Sequence, residues 1–341
     1  MTFSGRFLLN MIQFAARQGA AAGELLSIAG YSQEALMNEK LRVEAPVYNA
    51  VVRAALAKTA DPYFGLHAGE HFNLGAAGLI AQITQTSTTM LEALQYCCEF
   101  SMLGCRAIPL TLKKTDDTYA LRMKPDPLWQ AQSPKTALHT LEGHLAFSLR
   151  EYQQLVLGSQ PPLRVHLTRD RPASVAEFER VFKAPLYFGQ EEGALFFSAR
   201  QLEAPVITSN YQLLRILVRH AEEQLAAVQQ QTGTVYQVRE AILQLMDFGL
   251  PSIEHVAANL HQSVRSLQRR LKAEGFTYQS ITEDIRKALA LSYLRQPNLS
   301  LTDIAALLDY SDSSTFSRSF KRWYGVAPRD WREGNWAKTT Q

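Results

Sequence analysis

Residues 252–275, SIEHVAANLHQSVRSLQRRLKAEG, and residues 300–325, SLTDIAALLDYSDSSTFSRSFKRWYG, carry one pattern twice. In the first copy Ile253, Val256, Ala257 and Leu260 fall at i, i+3, i+4 and i+7, which is one face of an α-helix. Leu301, Ile304, Ala305 and Leu308 repeat that spacing 48 residues later. A short polar turn follows in each copy, and then a second amphipathic helix. Leu267 and Leu271 point inward in the first, and Phe316, Phe320 and Trp323 in the second. Arg265, Ser266, Gln268 and Arg269, and correspondingly Ser313, Ser314, Ser317 and Arg318, are left pointing outward. The pairs Leu267–Phe316, Arg269–Arg318 and Leu271–Phe320 are each separated by 49 residues, so two second helices share one register.

Ala257 and Ala305 have a physical reason to be small: two helices that cross steeply through a short turn need a small side chain where they touch. Ser263 is placed to cap the helix after the turn. Ser300 with Asp303 resembles a capping box, and Gly275 and Gly325 are plausible stops for the second helices. Each copy therefore predicts a helix-turn-helix whose second helix can enter a major groove. Between them, from Tyr278 to about Arg295, Ile281, Ile285, Leu289 and Leu294 predict one long helix. A stiff connection of that kind would set two reading helices into successive grooves, about 34 Å apart.

Residue chemistry assigns roles on these outward faces. Arginine pairs bidentately with guanine and glutamine with adenine. The base-reading candidates are Arg265, Ser266, Gln268 and Arg269 on the first helix and Ser313, Ser314, Ser317 and Arg318 on the second. The second set has fewer long polar side chains, so weaker base discrimination is expected there. Lys272, Lys321, Arg322 and Lys338 fit phosphate contacts, as do the helix N-termini at Ile253 and Leu301. For each charged residue the plain alternative is a solvated side chain, and Arg269 or Arg318 could instead brace the domain internally.

The region resembles the DNA-binding domain of AraC/XylS-family regulators. The residues that carry the likeness are Leu267-Gln268-Arg269-Arg270-Leu271, Ile304-Ala305, Phe316-Ser317-Arg318-Ser319-Phe320-Lys321 and Gly325-Val326-Ala327-Pro328-Arg329-Asp330-Trp331-Arg332. It covers about residues 234–335. One departure is Asp309-Tyr310-Ser311-Asp312, where many members have Gly-Phe before the acidic or serine position; tyrosine can fill the same apolar slot. The N-terminal part is similar, less specifically, to the ligand-sensing domain of the subgroup related to ornithine-responsive regulators. Gly75-Ala76-Ala77-Gly78, Ser87-Thr88-Thr89-Met90-Leu91-Glu92-Ala93 and Phe178-Glu179-Arg180-Val181-Phe182 carry that likeness. It has too few predicted strands to resemble the cupin sensor of the arabinose regulator itself.

The totals agree with two domains. The chain has 341 residues, 46% of them hydrophobic, enough for two cores. Residues 234–341 hold 14 Lys and Arg against 11 Asp and Glu, while the remainder holds 21 of each, so the net charge of +3 resides in the C-terminal part. That is a small excess, in keeping with chance or with a mildly basic, phosphate-facing surface. Cys97, Cys98 and Cys105 are odd in number and clustered, which does not suggest a disulfide framework and fits a reducing, cytoplasmic setting. The first residues read as an amphipathic helix and not a signal peptide, because Asn10 and Gln13 interrupt the apolar run. No apolar stretch is long enough to span a membrane.

Residues 1–205 mix helical periodicity with hairpin signals. Ile108, Leu110 and Leu112 alternate, Asp116-Asp117 turns, and Tyr119, Leu121 and Met123 alternate again. A long helix is predicted from Ser133 to Leu157, and Ser174 is placed to cap the next. The predicted fold is an α+β sensor domain (1–205), a helical linker (206–233), an all-α domain with two helix-turn-helix motifs (234–336) and a tail (337–341). Leu214, Leu217, Ala221 and Val228 on the linker helix suit either a short dimerisation seam or packing on the chain's own domain.

Tyr96, Arg106, Trp129 and His139 are the candidates for effector contacts, chosen by position near the presumed sheet. Arg106 would favour an anion. His139 and His144 with Glu142 could touch a ligand or face solvent. His67 and His71 flank Glu70 at helical spacing, but the run is not a zinc-protease pattern and no third ligand is evident; no metal and no cofactor is expected. Adjacent Cys97 and Cys98 read as small buried hydrophobes before they read as a redox sensor. No catalytic constellation appears. The expected partners are promoter DNA, a small-molecule effector and RNA polymerase, with homodimerisation open. Activation is the expected direction, although residue types do not separate it from repression. The alternatives are a constitutive DNA-binding regulator whose N-terminal half only dimerises, and an enzyme fused to a DNA-binding domain.

Overall fold

The computed structural model describes residues 1–231, 233–246, 249–296 and 299–334. Two compact units divide the chain, residues 1–228 and 229–341. The first is α+β and the second is helical.

Strands β1 (Thr2–Ser4) and β2 (Arg42–Glu44) form a small antiparallel pair that places Phe3 opposite Val43. Phe3 stacks on Tyr48 at 3.7 Å between ring centroids, and the indole of Trp129 leans against both rings. The helix Gly5–Arg17 then buries Phe7, Leu8, Met11, Ile12, Phe14 and Ala15. This is the amphipathic stretch that opens the sequence, and it belongs to the core.

The predicted hairpin is present as β3 (Leu110–Thr115) and β4 (Thr118–Met123), with Asp116 in a left-handed conformation at the turn. Its register pairs Leu110 with Met123 and Leu112 with Leu121, so the alternating apolar side chains share a face. With β5 (Arg164–His166), β6 (Leu186–Tyr187) and β7 (Gly193–Ser198) it forms a five-stranded sheet of order β3-β4-β7-β5-β6, antiparallel except between β5 and β6. Ser174 does not cap the helix Ala176–Phe182; its N-cap is Val175, and the Ser174 carbonyl accepts a hydrogen bond from the Tyr63 hydroxyl.

The long helix Pro134–Leu155 packs on β7 and against the helix Phe64–His71. The second contact is so close that it requires glycine. A Cβ on Gly65 would lie 1.9 Å from the His139 carbonyl oxygen, and one on Gly69 would lie 2.3 Å from that of Gly143. The glycine in the His-Ala-Gly-Glu-His run is thus a packing residue. Tyr48 and Asn49 secure the other side, through Thr140 at 3.0 Å and the Trp129 indole N–H at 2.8 Å.

The helix Tyr211–Gln231 was expected as a linker, but the first unit extends to Val228. Leu214 and Ala221 are buried with Ile83 and Phe100, and Leu217 packs beside them. These side chains of the suggested dimer seam are therefore spent on their own domain; that of Val228 lies outside the described residues. The segment leaves Ile207, Tyr211, Leu213 and Ile216 exposed instead.

In the second unit one core gathers Val238 and Ile242 with Val256, Leu267, Leu271, Ile304, Leu308, Phe316 and Phe320. The connecting helix Tyr278–Leu294 contributes Ile281, Ile285, Leu289 and Leu294 to it. No helix among the described residues is long and apolar enough to cross a membrane.

Two predictions test the packing of the first unit. Gly65→Ala should separate the crossed helices and cost about 3 kcal/mol or more, read as a lower unfolding midpoint. Gly23→Ala, which meets nothing within 4 Å in an ordinary helical conformation, should be neutral or slightly stabilising. The second concerns His67, whose Nδ1 meets Asp61 at 2.7 Å and whose Nε2 meets Glu177 at 3.1 Å. Burial alone would lower its pKa, but hydrogen bonds and charge from the two carboxylates outweigh burial and raise it. The protonated ring thus favours the fold. That stabilisation is fully present below the ordinary histidine value of about 6.5 and is lost as pH rises through the raised value. Urea titrations across neutral pH should show this decline in the native protein and a shallower one in His67→Gln.

Candidate nucleic-acid interface and internal cavity

Both helix pairs close their turns in the same way. In the first, the helix Ile253–Asn259 is capped by Ser252, and His261 takes a left-handed conformation with φ of 53°. The backbone N–H of Gln262 then returns to the Ala257 carbonyl at 2.9 Å. In the second, the helix Leu301–Leu307 is capped by Ser300 with a reciprocal Asp303 contact. Asp309 has φ of 61°, and Tyr310 N–H returns to the Ala305 carbonyl, also at 2.9 Å. The two alanines are thus buried acceptors at the base of each turn as well as small contact residues.

The second helices are Val264–Ala273 and Ser313–Tyr324, the first capped by Ser263 and the second by Asp312, whose side chain accepts from Thr315 N–H at 2.7 Å. Those hydrogen bonds to the ionised form hold the Asp312 carboxyl down at about 2. Leu267, Leu271, Phe316 and Phe320 are fully buried. With that face fixed, Arg265, Gln268, Arg269 and Lys272 form an exposed stripe at i, i+3, i+4 and i+7, with Ser266 half-buried at its edge. On the second helix Ser314, Arg318 and Lys321 are exposed, while Ser313 and Ser317 are half-buried.

Two candidates are already engaged. The Ser317 hydroxyl donates to the Ser313 carbonyl at 2.7 Å, which leaves it as an acceptor. Arg322 lies 3.1 Å from Glu283 on the connecting helix, and the same carboxylate accepts from the Trp323 indole at 2.9 Å. Among the described residues Arg318 has its hydrogen bond to its neighbour Thr315, at 3.2 Å, and does not brace the core. Tyr310 fills the expected apolar slot, its ring 5.9 Å from Phe316 and 6.3 Å from Trp323. Lys338 lies outside the described residues.

The first unit contains a partly enclosed cavity of about 100 Å³. The long helix supplies His144, Phe147, Ser148 and Glu151; β3 and β4 supply Leu110 and Leu121. Ile80, Ala81 and Thr84 come from the helix Leu79–Thr86, and Met90, Leu94 and Cys97 from Met90–Glu99. The four sequence-based effector candidates are not brought together, and none of them lines this cavity. Tyr96 lies in the cluster with Leu214 and Leu217, stacked on Phe100. Trp129 is in the aromatic core. His139 accepts the Gly65 N–H at 3.2 Å, and burial pushes its pKa down to about 4. Arg106 lies near Arg42, whose pKa is lowered by burial first and by Arg106's charge second.

Of the trio on the long helix, His144 alone reaches the cavity. Glu142 is buried and held by both arms of Arg169, at 2.6 and 2.9 Å. Sequence reasoning missed Glu151, a helical carboxylate that has no local signal to distinguish it from a solvated one. Cys97 and Cys105 line the cavity; burial pushes both thiols up to about 11 and Cys98 to about 12, far from the thiolate a redox sensor needs. His67 spends both ring nitrogens on carboxylates, and His71 Nδ1 donates to the His67 carbonyl.

A helical unit with two helix-turn-helix motifs that close their turns alike, following an α+β unit in the chain, defines a DNA-binding transcription regulator. Residues 19–206 match the family model of the arabinose-binding domain of AraC transcription regulator, and residues 256–334 match a helix-turn-helix domain. The chain is 30% identical to the ornithine utilization regulator of Pseudomonas aeruginosa, over 95% of this chain and 94% of that protein. It is 27% identical to the regulator VirS of Mycobacterium tuberculosis, over 83% and 82%. The crystal structure of the regulator CdpR from Pseudomonas aeruginosa is similar over 91% of this chain and 96% of that one, at 24% identity and a TM-score of 0.46. The chain belongs to the AraC family of transcription regulators.

Proposed function

We propose that the chain reads promoter DNA with the exposed faces of Val264–Ala273 and Ser313–Tyr324, and that a small molecule in the internal cavity controls this binding. The observation that carries the DNA reading is the pair of polar stripes left exposed once the leucine and phenylalanine anchors are buried in one core. Arg265, Gln268 and Arg269 have the reach and donor geometry for base edges. Lys272 and Lys321 flank them as phosphate contacts, and Arg322 can join once it leaves Glu283. On the second helix Arg318 is the long donor and the serines are short, so the first motif carries more of the sequence discrimination. The cavity supports effector control because its walls are largely apolar with a few polar groups, the usual make-up of a small-molecule site. The chain would work inside the cell and without catalysis.

Selection of bound fragments from random DNA would supply the operator. On it, Gln268→Ala should cost about 1–3 kcal/mol and leave nonspecific DNA almost unaffected. Lys321→Ala should weaken both about equally and reduce the salt slope by about 1. Equal losses on both DNAs for Gln268→Ala would remove it from the base-reading set.

A further inference from the structure

Two carboxylates on the helix Pro134–Leu155 are buried, and they are treated differently. Glu142 is neutralised by a bidentate arginine, the ordinary way to keep a charge inside a fold. Glu151 is 6% exposed and lines the cavity, yet among the described residues neither of its carboxylate oxygens has a hydrogen-bond partner. Its neighbour Arg150 lends it charge from a distance but no hydrogen bond, because that guanidinium donates to the carbonyls of Glu70 and Phe72. An unpaired carboxylate in an apolar setting is costly, and burial pushes its pKa up to about 6. At neutral pH it remains mostly ionised.

The rest of the lining has the same polarity. His144 lies seven residues earlier on the same helix face, roughly 10 Å away along the axis. Its Nδ1 is 2.8 Å from the Thr140 carbonyl, which can only accept, so Nδ1 carries the proton. Burial pushes the imidazole down to about 4, and the neutral ring therefore offers Nε2 as an acceptor. No lysine or arginine is among the described lining residues. The remaining wall is mainly apolar, with Phe7, Ile80, Leu94 and Phe147 prominent.

From this juxtaposition of an unpartnered buried carboxylate, a neutral histidine acceptor and apolar walls, we infer that the cavity binds a small organic amine as its ammonium ion. The ammonium group pairs with Glu151 and the hydrocarbon lies along the apolar wall. A free α-carboxylate on the same compound finds no cation in the wall, so simple amines fit better than amino acids. This assignment rests on the cavity being the effector site, and the test separates the two.

The full chain is titrated with pentylamine, pentanol, pentanoate and ornithine, followed by calorimetry and melting temperature. Pentylamine should bind in the millimolar range or tighter and raise the melting temperature, with pentanol weaker and pentanoate and ornithine without effect. Glu151→Gln should lose at least tenfold in pentylamine affinity. The empty Glu151→Gln protein should melt higher than the native one, because it no longer buries an unpaired charge. Pentanoate, pentanol or ornithine binding as tightly as pentylamine, or unchanged pentylamine binding in Glu151→Gln, overturns the amine assignment and leaves the cavity an effector site. A lower melting temperature of empty Glu151→Gln makes the carboxylate structural and also overturns it. No binding by any of the four overturns both the assignment and the cavity's role.

Discussion

The second helix of each helix-turn-helix is fixed by two apolar side chains one turn apart, Leu267 with Leu271 and Phe316 with Phe320, all fully buried in a core that the connecting helix shares. Everything the second unit offers to DNA follows from that anchoring. A helix rotated about its axis by one residue would turn by about 100°, burying Gln268 or Ser317 and exposing an anchor. The closed turns add a second restraint. Each ties its last residue to an alanine carbonyl in the preceding helix, so helix crossing and helix rotation are set together.

The first unit solves a different problem, which is to hold a hollow inside a fold. Its long helix is clamped near its first half by the glycine crossing at Gly65 and Gly69 and by the Phe3–Tyr48–Trp129 nucleus. The later part of the same helix, from His144 to Glu151, forms a wall of the cavity. A rigid clamp at one end and a cavity wall at the other are thus combined in one helix of 22 residues. It also explains why His139 and His144, five positions apart, have unrelated roles.

The helix-turn-helix pair was legible in the sequence because its signal is local and repeated. Spacing, caps and stops at Ser263, Ser300, Gly275 and Gly325 all point to one answer. The hairpin β3–β4 was legible for the same reason, through alternation around Asp116-Asp117. The effector candidates were not, because a cavity is made by elements distant in the chain. Tyr96 is on the right helix but on its wrong face, while Met90, Leu94 and Cys97 face the hollow. Trp129, chosen by its position near the presumed sheet, is a core residue. Glu151 looked like any helical glutamate, and only its enclosure gives it chemical meaning. The glycine in the His67–His71 run has no local signal of its role, which is to let two helices meet.

The three native thiols have a practical consequence. Enclosure keeps Cys97, Cys98 and Cys105 almost wholly protonated at neutral pH, and alkylating dyes react with the thiolate. A single cysteine introduced on an outward position of a reading helix would be tagged far faster than the resident three. Fluorescence from such a reporter would follow promoter engagement in an otherwise unaltered polypeptide, without first stripping out its own sulfur.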